Sequence, residues 1–157
     1  MNSAQIILAS SSQTRKALMD RLHINYISMV PDIDESPRGE NHADDLAQRL
    51  AFEKARYIAE QNPEAIVIGS DQVAWREGAP DIFIGKPLTT EKAIRQLQAN
   101  SDKIVYFSTA LSVQQLSTGF EQSLVEHYKV KFRKLSQVEI ERYVEIEQPL
   151  HLSLIHI

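Results

Sequence analysis

The sequence contains no cysteine, which excludes disulfides, thiolate zinc sites and a cysteine nucleophile together. It has no apolar run near the ~20 residues that cross a bilayer as a helix. Its start, Met1-Asn2-Ser3-Ala4, is not a basic segment leading into a hydrophobic one. The expected location is therefore the cytosol, with no membrane partner. Positive charge is not in excess either: 17 basic against 21 acidic residues leave a net charge of -4, so nothing draws the chain as a whole to nucleic acid. An anionic ligand must then be held locally, by a few cations and backbone N–H groups, with or without a divalent metal. The common phosphate signatures are missing too. No Gly-x-x-x-x-Gly-Lys-Ser/Thr and no Gly-x-Gly-x-x-Gly occurs, which argues against a P-loop NTPase and a Rossmann dehydrogenase. No serine sits in a Gly-x-Ser-x-Gly elbow, and the five histidines are not paired at metal-ligand spacing. No repeat, linker or low-complexity tract divides the 157 residues, so one domain with its own core is expected.

What is present reads as alternating strands and helices. Ile6 to Ala9 is a short apolar run before serines, and Arg15 to Leu22 carries Ala17, Leu18 and Leu22 at helical spacing. Tyr26 to Val30 reads as a second strand entering an acidic loop bracketed by Pro31 and Pro37. Asp44 or Asp45 can cap a helix that Asn62-Pro63 ends near Gln61. Ala65 to Gly69 is a continuous apolar run of the kind buried on both faces of a sheet, and Asp71 is expected to end it. Glu77 to Pro80 marks a turn, Ile82 to Ile84 a short strand and Thr89 to Ala99 a helix. Val105, Phe107, Thr109, Leu111 and Val113 alternate with polar neighbours, and after Ser117-Thr118-Gly119 so do Leu124, Tyr128, Val130 and Phe132. That pattern predicts a long antiparallel hairpin with one buried face. A last helix opens at Ser136, with Glu139 in capping-box position. The expected fold class is α/β, with a mixed sheet flanked by helices.

In such sheets ligands collect where loops and helix N-termini converge beyond the strands. Ser10-Ser11-Ser12 leads into a helix whose free N–H groups suit a phosphate, and Arg15 adds a bidentate fork; a serine cap beside a solvated arginine reads the same way. The helix from Asp44 has an apolar stripe of Leu46, Ala47, Leu50, Ala51, Tyr57 and Ile58 with Lys54 in its middle. That ammonium either snorkels to water or meets a buried anion. Arg49, Glu53, Arg56 and Glu60 fall on the opposite face, where ordinary patterning accounts for them. Asp71 is either a turn former or a paired, metal-bound or basic carboxylate. Asp32, Asp34 and Glu35 offer hard oxygen ligands for Mg²⁺, or are solvated loop acids. Gly85-Lys86-Pro87 brings a lysine to a tight backbone bend, or is a plain surface turn.

Taken in order, Ile7-Leu8-Ala9-Ser10-Ser11-Ser12 with Arg15, Asp34-Glu35, Glu53-Lys54-Ala55, Gly69-Ser70-Asp71-Gln72 and Gly85-Lys86-Pro87 closely resemble the Maf family. The resemblance implies a Maf/inosine-triphosphatase-like fold and metal-dependent hydrolysis of nucleoside triphosphates to monophosphate and pyrophosphate. It implies Asp71 as general base, and Glu35 with Asp71 as ligands of a divalent cation, Mg²⁺ or Mn²⁺. Lys54, Lys86, Arg15, Ser10 and Ser12 would contact the triphosphate. Ser70-Asp71-Gln72 resembles the branch acting on 7-methyl-GTP rather than the one acting on dTTP and UTP, with Gln72 and Thr14 at positions associated with base selection. A dTTP/UTP pyrophosphatase of the same family is one alternative; the family is also linked by name to septum formation, so a nucleotide-binding regulator of cell division is another, and a homodimer is compatible with each. Gln13 stands where the family usually has proline. After Pro149-Leu150-His151 the family continues into a Gly-containing loop and a Lys-x-Glu-Gly segment. Here Leu152-Ser153-Leu154-Ile155-His156-Ile157 follows instead, matching one reading frame of a sequencing-library transposon end. Residues 1–151 are thus expected to be the Maf-like domain, incomplete at its C-terminus, and 152–157 a non-native tail.

Overall fold

The computed structural model describes residues 4–150; the 152–157 tail lies outside them. The elements run β1 (Ile6–Ala9), α1 (Gln13–Asp20), β2 (Ile27–Met29), α2 (Ala43–Gln61), β3 (Ile66–Arg76), β4 (Ala79–Ile84), α3 (Thr90–Asn100), β5 (Ile104–Gln115), β6 (Phe120–Lys131) and α4 (Gln137–Glu147). The strands form one sheet in the order β2-β1-β3-β5-β6, with β4 on β3. β1 pairs in parallel with both β2 and β3, whereas β4 runs antiparallel to β3. The sheet is therefore mixed and the fold is α/β. None of the described helices is long and apolar enough to cross a membrane.

Among the described residues the chain gathers into two compact units. One takes in the chain up to Glu40, Asp44–Gln72 and Thr109–Glu126; the other takes in Asn41–Ala43, Val73–Ser108 and the chain from His127. Each has its own apolar core. The first packs Ile7, Ala9 and Val67 of the strands against Ala55, Ile58 and Ala59 of α2. The second packs Ala74, Val105 and Phe107 against Ala93 and Leu97 of α3 and Ile140 and Val144 of α4.

In the first unit Gly69 sets how closely α2 approaches β3. A Cβ there would overlap the Ala51 carbonyl oxygen and lie 2.7 Å from the Ala55 backbone nitrogen. Only a residue without a side chain admits the helix at that distance, and the alanines opposite complete the fit.

Several elements depart from their expected form. β3 does not end at Asp71 but continues to Arg76, because the polar groups in its middle are paired and the buried Val73 and Ala74 follow. In β5 the inward face changes over at Phe107 and Ser108, which are both buried. Beyond that point Ala110, Ser112 and Gln114 are the buried residues, and Thr109, Leu111 and Val113 are only half-buried. Gln114 tolerates this position by donating to the Phe52 carbonyl at 3.1 Å and to Ser112 Oγ at 3.2 Å. β6 has no buried face: Leu124 and Tyr128 are exposed, as befits a strand at the end of the sheet order. The hairpin turn itself forms as expected, with Gly119 at φ 71° after Leu116–Thr118. α1 buries only Met19, leaving Leu18 and Leu22 exposed. Asp44 and Asp45 lie in the first turn of α2 rather than at its cap, where they complement the helix dipole. Ala79 and Pro80, read as turn, belong to β4.

The expected capping box at α4 is present. Ser136 Oγ accepts from the Glu139 N–H, and Glu139 Oε2 accepts from the Ser136 N–H at 2.8 Å. The Ser136 N–H and hydroxyl, followed by Arg133, lower the Glu139 pKa to about 2. A depressed carboxylate stabilises the folded state above its unfolded pKa, ordinarily near 4.5. This contribution is therefore expected to be lost as pH falls from there towards 2. Ser136→Ala should cost about 1 kcal/mol in urea unfolding at neutral pH, and the cost should shrink over that acid window.

Candidate active site

Strand register brings the Ser10 and Ser70 clusters side by side. Ala9 of β1 lies opposite Gly69 of β3, so Ser10 and Ser70 leave the paired segment as neighbours. Both are buried. Ser10 Oγ accepts the Ser12 N–H at 3.1 Å, and Ser12 caps α1 by accepting the Arg15 N–H at 3.4 Å. The Ser10 carbonyl is held by the Ser28 hydroxyl at 2.6 Å. The loop is thereby tied down where the α1 N–H groups emerge. Thr14 is exposed at the start of α1, and Arg15 half-buried.

The tight Gly69 contact with Ala51 and Ala55 brings Lys54, the residue before Ala55, level with Asp71. The Lys54 ammonium donates to Asp71 Oδ1 at 2.5 Å and lies 3.2 Å from Glu35 Oε1. Lys54 is 6% and Asp71 8% exposed, so a charged pair stands inside the first unit. Of the two readings of Lys54, the buried anion is the one found. Burial pushes the Asp71 carboxyl above the ordinary aspartate range. The Lys54 charge and hydrogen bond and the Arg15 charge pull it back only in part, and Glu35 adds to the rise. A carboxylate held this way is a stronger base than a solvated one.

Gln72 points away from this pair, its amide donating to Thr109 Oγ1 at 2.8 Å. Lys86 belongs to the second unit, exposed in a loop whose Gly85 carbonyl accepts from Gln96 Nε2 at 2.8 Å. Glu35 and Asp71 offer hard oxygens that already share one cation, the Lys54 ammonium, so the donor set suits a hard divalent ion. No cluster of three or more His, Asp or Glu side chains forms among the described residues. Phosphate oxygens and water would complete the coordination, as is usual for Mg²⁺.

Arg49, on the face of α2 opposite the apolar stripe, does more there than ordinary patterning requires. Its side chain is only 19% exposed and binds three groups of the acid loop and helix. Acids nine residues before it and four after it, Glu40 and Glu53, were the available signal.

The fold has known counterparts. The solved structure of a HAM1 protein from Coxiella burnetii superposes with a TM-score of 0.58 at 20% identity, covering 82% of this chain and 73% of that one. The Staphylococcus aureus Ham1 protein gives 0.55 at 17% identity, covering 81% and 71%. In sequence, the family model described as Maf-like protein matches residues 5–153, and this chain belongs to the Maf family. A nucleoside triphosphate pyrophosphatase of Acinetobacter baylyi is 66% identical over 152 residues, which are 97% of this chain and 77% of that protein. 7-Methyl-GTP pyrophosphatases of Alcanivorax borkumensis and a Polaromonas species are each 44% identical. Both matches take in 94% of this chain, and 74% and 66% of those proteins respectively.

Proposed function

We propose that this chain is a nucleoside triphosphate pyrophosphatase that hydrolyses 7-methyl-GTP to the monophosphate and pyrophosphate. The observation that carries the chemistry is the buried Lys54–Asp71 pair with Glu35 at its edge. The names of the relatives support the reaction class, and Ser70-Asp71-Gln72 together with the two 7-methyl-GTP pyrophosphatases supports the base.

Asp71 takes a proton from water, whose oxygen attacks the α-phosphorus; the bond from that phosphorus to the bridging oxygen breaks and pyrophosphate leaves with the electron pair. Lys54 and Arg15 neutralise charge growing on the phosphates, and the N–H groups behind Ser10 and Ser12 orient them. A divalent metal bound by Glu35 and Asp71 would polarise phosphoryl oxygens.

The test is a panel of 7-methyl-GTP, dTTP, UTP and CTP incubated with the protein and Mg²⁺. Release of pyrophosphate, fastest from 7-methyl-GTP, is expected. Orthophosphate as product, or binding without any release, would reject the proposal, the latter in favour of a nucleotide-binding regulator. Gln72 is assigned to base selection on the resemblance of Ser70-Asp71-Gln72 to the 7-methyl-GTP branch of the family, although its amide is turned towards Thr109. Gln72→Thr should lower kcat/KM for 7-methyl-GTP about tenfold, the value of one hydrogen bond, with a smaller change for dTTP. Equal losses on both substrates would remove it from that role.

A further inference from the structure

We propose that Arg49 is the positioning residue for Glu35, strapping the acid loop to α2 so that the Glu35 carboxylate is presented to Lys54. The proposal rests on the reading of Glu35 given above.

The chain between Met29 and Ala43 has no regular structure, and a loop of that kind is mobile unless something ties it down. Glu35 is 59% exposed on its side chain, so burial does not hold it. Arg49 does so through the adjacent residue. Its guanidinium donates to the Ser36 carbonyl at 2.8 Å, to Glu40 Oε1 at 2.5 Å and to Glu53 Oε2 at 3.1 Å. Glu40 uses its other oxygen to accept the Arg38 N–H at 2.6 Å, and the Arg38 side chain reaches Glu53 Oε1 at 2.7 Å. The Ser36 N–H is taken by Asp34 Oδ1 at 2.9 Å. Residues 34–40 are thus folded around one guanidinium, a planar fork that lysine cannot reproduce.

Two successive residues of the loop are anchored to different parts of one helix. Ser36 is tied to Arg49 and Glu35 to Lys54. At 3.6 residues per turn these two helix positions stand roughly 140° apart. A segment fixed at two points in this way has a set orientation as well as a set place. The charges bear this out. Burial works against the Arg49 charge, but Glu40 and Glu53 outweigh it and raise its pKa. The Arg49 hydrogen bond in turn leads the lowering of Glu40.

The test measures binding of Mn²⁺ alone, by electron paramagnetic resonance, together with hydrogen exchange of the Ser36 and Arg38 amides. Arg49→Gln should raise the Mn²⁺ dissociation constant roughly 10- to 100-fold, as loss of a group orienting a metal ligand does, and should speed exchange at both amides. Turnover should recover at saturating Mg²⁺, which general damage to the fold would not allow. Arg49→Lys should fail to restore affinity; full restoration would overturn the three-point strap. If Arg49→Gln does not fold, Glu40→Gln carries the test, with weaker Mn²⁺ binding in support and unchanged binding against. Glu35→Gln separates the two readings. If it weakens Mn²⁺ binding and Arg49→Gln does not, the strap is wrong and the metal role of Glu35 stands. If it leaves Mn²⁺ binding unchanged, that metal role is wrong. The strap is then decided by amide exchange, with faster exchange in Arg49→Gln supporting it and unchanged exchange overturning it.

Discussion

Asp71→Asn is expected to abolish at least ~10²–10⁴-fold of pyrophosphate release, the usual loss on removing a general base, while the protein stays folded. Asparagine has nearly the same shape and can still accept from Lys54 through its amide oxygen, so the contact at Asp71 Oδ1 persists in weaker form. What disappears is the ability to take a proton from water. The pH profile provides a second, independent reading. Turnover needs the ionised carboxylate, so activity should fall as pH drops through a pKa lying above the ordinary aspartate value, in the direction that burial sets. That acid limb should vanish in whatever residual activity Asp71→Asn retains. A variant turning over at near-parental rates, or a limb unchanged by the substitution, would take the base role away from Asp71.

Gly69→Ala should be the most damaging single methyl group in the first unit. The added Cβ strikes the Ala51 carbonyl oxygen and approaches the Ala55 nitrogen and Cβ at 2.7 and 2.9 Å. The first two of these are backbone atoms of α2, which cannot rotate away, so helix and strand must separate. Overpacking of this kind costs about 1–3 kcal/mol and sometimes more, and the upper end is expected because the obstacle is backbone. Separation would also draw the Lys54 ammonium off Asp71, so turnover should fall with stability. Gly85→Ala is the control: a Cβ there meets nothing within 4 Å, and a change within about ±0.5 kcal/mol is expected in urea unfolding. Equal effects of the two substitutions would refute the close-approach account.

The sequence was most informative where one residue contradicted its surroundings. Lys54 on an apolar stripe demanded either water or an anion, and Asp71 after a β-branched run was either a turn former or a paired, metal-bound or basic carboxylate; the structure answers both with the same contact. The α4 capping box was equally legible, because all its atoms come from residues three apart. Less legible were features set by partners distant in sequence. Periodicity carries the inward face of β5 straight through to Val113, and nothing local announces the changeover at Phe107 and Ser108. The extension of β3 past Asp71 depends on Lys54 and Thr109, 17 and 37 residues from the groups they bind. Ordinary patterning accounted for Arg49 because a helical pattern shows which side a residue faces, not what loop lies over that side.

The Lys54–Asp71 contact has a cost that bears on how this chain can change. Two ions withdrawn from water rarely repay their dehydration in full, and a well-packed apolar pair of similar volume often leaves a protein more stable. Selection for heat resistance alone would therefore favour replacing both side chains together, giving a sturdier protein that, on the roles proposed for Lys54 and Asp71, no longer works. On those proposed roles endurance and chemistry pull in opposite directions at this pair, and improved variants are expected to gain their robustness elsewhere in the fold.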